Sequence, residues 1–182
     1  MAAEILLSSE NFVKSITNVS DNLAGKYILS ALREAQEVNL KSIIGEELLE
    51  KLKSLVADGT ITSHENIFYK YLIDRCQYYL AYMTIVEVAF KVSYKIGNAG
   101  VVKASDENLQ VASHDEIIAQ KEYYQSKADY YCLGLQNYLL DHRADFPELN
   151  DCTCRKIHSN LHSAATCGFF LGGARGKMKG GR

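Results

Sequence analysis

Apolar residues recur at three- and four-residue steps through most of the chain, the period of an amphipathic helix. The longest such run spans about Glu65 to Tyr94. Phe68, Leu72, Cys76, Tyr79, Met83, Val86 and Phe90 form one stripe, and Ile67, Tyr71, Tyr78, Tyr82, Ile85, Ala89 and Val92 a second beside it. Two adjacent stripes make a wide apolar arc, so this run predicts a central helix packed on several sides. Aromatic residues at this spacing read as core rather than as a cofactor box. A second long run begins at Ser113-x-x-Glu116, a capping box in which each side chain satisfies the other's orphan backbone donor. It continues to about His142 through Ile117, Lys121, Tyr124, Ala128, Tyr131, Leu135 and Tyr138, a stripe expected to lie along the Phe68–Phe90 face.

Shorter elements precede these two. Residues 5–19 are mixed and read as a docking segment. Ser20 or Asp21 is placed to cap a helix running to about Leu40, with Leu23, Ile28, Leu32 and Ala35 near one face. Gly45 breaks the pattern, and Glu46 to about Ala57 forms a helix with Leu48, Leu49, Leu52, Leu55 and Val56 on its apolar side. Asp58-Gly59 ends it, and a polar loop reaches Asn66. Between the long helices the period is lost. Asn98-Ala99-Gly100 marks a turn, Val101-Val102 opens an extended run, and Asp106-Glu107-Asn108 turns again before Leu109 to Ala112. A small β-hairpin or loop is expected there. Pro147 closes the ordered body. The expectation is a mainly all-α fold: a small bundle of about four helices with an insertion over 95–112. It divides as 1–19, 20–150 and an extended arm, 151–182.

Charge sharpens that division. From Cys152 to Arg182 there are six basic residues, Arg155, Lys156, Arg175, Lys177, Lys179 and Arg182, and no Asp or Glu. The other 151 residues hold 14 Lys+Arg against 22 Asp+Glu, so a formal −8 faces +6 in the chain's net −2. Six of the twelve glycines also lie between Gly168 and Gly181. A Gly-rich segment of one sign buries too little apolar surface to offset its ordering entropy, so it reads as an arm ordered by something else. Phe169, Phe170 and Leu171 would anchor it in a groove, and its cations would meet phosphates or an acidic protein surface.

Composition narrows the functional classes. A 47% hydrophobic content over 182 residues suits one globular core. One proline suits long helices, and twelve tyrosines suit surfaces both apolar and wet, subunit interfaces among them. Met1 to Leu7 does not read as a signal peptide, and the most apolar stretch, Cys76 to Val86, is too short to span a bilayer; a soluble intracellular protein with no membrane partner is expected. Five cysteines suit reduced thiols.

No catalytic constellation emerges. Glu46, Glu47 and Glu50 fall on a solvated face, Asp74 and Glu87 flank the central helix without a defined partner, and His64, His114 and His142 scatter near helix ends. Gly168-Phe-Phe-Leu-Gly-Gly matches no phosphate loop, and there is no nucleophile elbow. We expect no enzyme, no cofactor and no metal. The arm does hold zinc-ligand types, Cys152-x-Cys154, His158, His162 and Cys167, but at spacings unlike a zinc knuckle.

Certain stretches resemble a known family. They are Tyr27-Ile28, Ala31, Glu34-Ala35, Leu40 through Ile44-Gly45, Leu48 through Leu52, Val101 through Asn108, and Glu122-Tyr123-Tyr124 through Ala128-Asp129 with Tyr130-Tyr131. Together they make the chain similar to the head–tail connector (adaptor) proteins of tailed bacteriophages, and within them to the ring proteins below the portal in crAss-like phages. The resemblance implies a virion protein of the head–tail junction, made in the host cytoplasm. It implies a homo-oligomeric ring, commonly of about twelve copies, docked under the portal protein, meeting an adjacent ring or tail protein and surrounding the DNA channel. It also implies that the arm runs toward the portal, with non-specific contact to packaged DNA. Subunit contacts are then expected at Tyr78, Tyr82, Tyr123, Tyr130, Val101 and Val102. The alternative is a nucleic-acid-binding module acting through its basic tail; a zinc-dependent regulator or enzyme built on the arm's Cys/His set is the third reading.

Overall fold

The computed structural model describes residues 4–97, 100–103 and 113–150. The arm residues named above, Arg155, Lys156, Phe169, Phe170, Leu171, Arg175, Lys177, Lys179 and Arg182, lie outside them, as do Cys152, Cys154, His158, His162 and Cys167.

The described chain is helical: α1 (Glu10–Ile16), α2 (Gly25–Glu34), α3 (Lys41–Ile44), α4 (Glu46–Ala57), α5 (Ile67–Ser93) and α6 (His114–Asp141). A π-helical segment, Ala35–Leu40, joins α2 to α3, so one rod runs over 25–44. The all-α class expected from the apolar period is therefore observed. The rod begins later than expected. Ser20 Oγ accepts from the Asn22 N–H instead of capping a helix, and α2 starts at Gly25 behind Ala24, which makes no side-chain cap. It also continues past Leu40, ending at Gly45 with φ 89°, a conformation glycine adopts without the Cβ clash other residues meet. Two short turns, Thr60–Thr62 and His64–Asn66, lead from α4 into α5.

α5 is the axis of the molecule. It pairs most extensively with α6, next with α2, and also touches α1 and the π segment. Leu72, Cys76, Tyr79, Met83 and Val86 of its first stripe are buried as expected. The second stripe is not core throughout: Ile85 is buried, but Tyr71, Tyr78 and Val92 are exposed. The core arc widens on the other flank instead, through Ile73, Leu80, Ala81, Thr84 and Val88. α2 and the π segment cover that flank, leaving Tyr71 and Tyr78 outside. Ile117, Tyr124, Ala128, Leu135 and Tyr138 of α6 face inward against α5.

Both ends of the body are fastened by specific polar contacts. Gln36, fully buried on the π segment, donates from Nε2 to the Ile5 carbonyl at 3.0 Å and accepts the Leu7 N–H at 2.8 Å. Gln77 of α5 donates to the Leu7 carbonyl at 3.0 Å. These amides strap the first described residues across α2 and α5. At the far end Phe146 is fully buried against Tyr69, and the Tyr69 hydroxyl donates to Glu148 at 3.1 Å. Tyr138 donates to the Phe68 carbonyl at 3.1 Å.

After α5 the backbone segments Tyr94–Gly97 and Gly100–Lys103 pair antiparallel, Tyr94 opposite Lys103 and Gly97 opposite Gly100. This two-residue connection differs from the inserted hairpin the sequence suggested, which ran from Val101-Val102 toward Leu109 to Ala112. Those later residues lie outside the described ones. The helical body is all-α, and a hairpin running from Val101-Val102 to Leu109–Ala112 is not supported.

Candidate functional site

The side chains that stand out are tyrosines along the seam between α5 and α6. Tyr78 and Tyr82, one helical turn apart on α5, both stack on Tyr131 of α6, with ring centroids 5.3 Å apart and planes within 13° and 11°. Tyr82 also meets Tyr124 at 6.5 Å, Tyr124 meets Tyr123 edge-on at 5.3 Å, and Tyr131 meets Tyr130 edge-on at 5.4 Å. Phe12 of α1 closes the other end, edge-on to Tyr78 at 5.4 Å. Offset-stacked and edge-to-face pairs at these separations each add about 0.5–1.5 kcal/mol beyond buried area. The ladder stiffens the seam and fixes the direction of its outer rings.

Part of the ladder is open to solvent. Tyr78 is 41% exposed, Tyr123 57% and Tyr130 72%, while Tyr124 is buried. Tyr71, about two turns before Tyr78, is also exposed. Around the helix from Tyr130, on the side opposite the buried stripe of α6, Leu133 and Leu140 are half-exposed. Lys127 lies over the Tyr123 ring, 5.4 Å from its centroid, and Arg75 over the Tyr138 ring at 4.1 Å. The surface combines flat apolar rings, phenolic hydroxyls and a few cations, a composition suited to protein–protein contact.

The phenols of Tyr79, Tyr82 and Tyr138 remain neutral at physiological pH. Burial raises Tyr82, helped by the neighbouring tyrosines Tyr131 and Tyr123, and burial likewise holds Tyr79 and Tyr138 above the ordinary tyrosine range.

Four of the six contact residues expected from sequence, Tyr78, Tyr82, Tyr123 and Tyr130, are brought together on this ladder. The other two, Val101 and Val102, belong to the Gly100–Lys103 backbone segment, and their side chains fall outside the described set. Sequence reading missed Leu133 and Leu140. The signal was available: Tyr130, Leu133 and Leu140 step by three and seven, tracing an apolar line around the helix from the core stripe.

The acid–base candidates stay apart. Glu46 pairs with Lys41 at 2.7 Å, and Glu50 shares Lys53 with Glu37. Burial penalises the Glu37 carboxylate, but hydrogen bonds from Lys53 and Gln36 outweigh it and hold its pKa below the usual range. Asp74 is exposed, Glu87 half-buried, and His64 and His114 exposed. His142 caps the end of α6, with Nδ1 3.1 Å from Asp145. Among the described residues no three His, Cys, Asp or Glu side chains cluster as metal ligands, and no helix is long and apolar enough to cross a membrane. Cys76 and Cys132 form no disulfide, and burial pushes the Cys76 thiol far up.

Neither the curated proteins nor the solved structures include a match to this chain. A family model does match, over residues 40–159, taking in α4, α5, the insertion and α6 with their tyrosine seam. The chain therefore belongs to DUF6712, a family of unknown function.

Proposed function

We propose that this chain is a structural virion protein, a head-to-tail connector subunit that assembles as a homo-oligomeric ring, joins portal to tail and surrounds the DNA channel. The observation that carries the proposal is the tyrosine ladder. Rings held rigid on the α5–α6 seam stay 41–72% exposed at Tyr78, Tyr123 and Tyr130, where a folded monomer gains nothing from displaying them. A preformed aromatic surface loses little side-chain entropy when a partner covers it. Repetition of one such contact around a closed ring covers it in every copy.

The resemblance to phage connectors supplies the rest of the reading. In it the insertion over 95–112, with Val101 and Val102, projects as a second contact between copies. The basic arm reaches the portal, and the acidic body lines a channel that does not grip passing DNA. The test is to image the purified full chain alone and mixed with its portal. Rings that cap the portal are expected. A chain that ignores the portal, but binds random DNA with steep salt dependence lost on removing residues 152–182, would favour the nucleic-acid-binding alternative.

A further inference from the structure

A groove opens at the end of the seam nearest the insertion. It offers about 290 Å³, between Val19 and Leu23 of the turn before α2, Val88 and Val92 of α5, and Ile117 and Gln120 of α6. Its walls are mostly apolar, with Ser20 and Gln120 as the polar edge. Small-molecule sites run from about 300 Å³ upward and carry several convergent polar groups. This groove is smaller and poorer in them, and suits one or two large apolar side chains.

We propose that the groove seats the chain's own Phe169-Phe170-Leu171. Three observations point to this occupant. The triplet is apolar and sits within a segment, 152–182, with six basic and no acidic residues; Arg175 and Lys177 follow it closely. Exposed acids line the way: Asp21 adjoins the groove, and Asp115, Glu122, Asp129 and Asp141 are spaced along α6. Two cations share that stretch: Lys121 is half-buried, and Lys127 is turned onto the Tyr123 ring. Length also fits. The 19 residues from Asn150 to Phe169 reach up to about 60 Å extended, against about 42 Å for the 28-residue α6 they must retrace. The arm's apolar triplet thus fills the groove while Arg155 and Lys156, which precede it, follow the acids of α6, until a stronger partner draws the arm away. The inference rests on the groove and on charge, and stands whether or not the chain forms connector rings.

The test places a photoreactive phenylalanine analogue at position 170 of the full chain. After irradiation, adducts within one chain are expected at Leu23, Val88 or Val92. Val92 is partly exposed, so Val92→Asp spares the fold and should cut adduct yield about tenfold, as loss of about 1.4 kcal/mol would. Leu133→Asp, outside the groove, should leave the yield unchanged, with both variants keeping wild-type helicity. Adducts scattered over the body, adducts only between chains, or a yield indifferent to Val92→Asp would overturn the proposal. Particle mass, read separately, reports on the connector reading alone.

Discussion

Gln36 shows how much one side chain organises. Its buried amide completes two backbone hydrogen bonds for residues 5 and 7, from a position held inward by the π segment. Gln36→Ala would leave a buried N–H and a carbonyl unpaired, a cost of about 2–3 kcal/mol. Thermal denaturation should show a fall of roughly 5–10 °C. Tyr69 makes a second prediction. Burial first, and Glu148 beside it, push its phenol up to about 12 from an ordinary 10. A folded-state pKa above the unfolded one adds stability that is fully present below pH 10 and is lost as pH rises through 12. Melting temperatures at pH 7 and pH 11 should therefore differ less for Tyr69→Phe than for the wild type. Tyr79 and Tyr138 shift in the same direction, so some alkaline sensitivity remains in that variant.

Among the elements, α6 is the most legible from sequence. Its Ser113–Glu116 capping box forms as read, with the Glu116 carboxylate accepting the Ser113 N–H at 2.7 Å. Ser113→Ala should lower stability by about 1 kcal/mol in denaturant titration. Gly134, on the open side of the same helix, has nothing within 4 Å of where a Cβ would stand. Gly134→Ala should raise the stability of the single chain by about 0.5–1 kcal/mol, since helical glycine carries an entropic cost. The start of α2 was not legible, because Ser20 satisfies a local turn and the helix begins uncapped five residues later. Nor was the π segment, since periodicity cannot register one extra residue per turn. The tyrosine seam was half legible. Its members are visible by spacing, but the apolar arc alone does not tell that Tyr71 and Tyr78 stay exposed, because sequence does not say which flank of α5 its neighbours cover.

For the whole molecule the central claim is that one copy leaves its aromatic seam unfinished and identical neighbours complete it. Shape and charge agree with that account: an acidic helical body, a rigid tyrosine surface and a basic arm of opposite sign. Because Tyr123 and Tyr130 are the most exposed rings of the ladder, replacing both by serine removes contact area while leaving the core intact. The direct measurement is the solution mass of the full chain and of the Tyr123→Ser/Tyr130→Ser variant, by light scattering at matched concentration. The account predicts a closed multi-subunit species for the wild type and a helical monomer for the variant. A monomeric wild type, or a variant of unchanged mass, would contradict it.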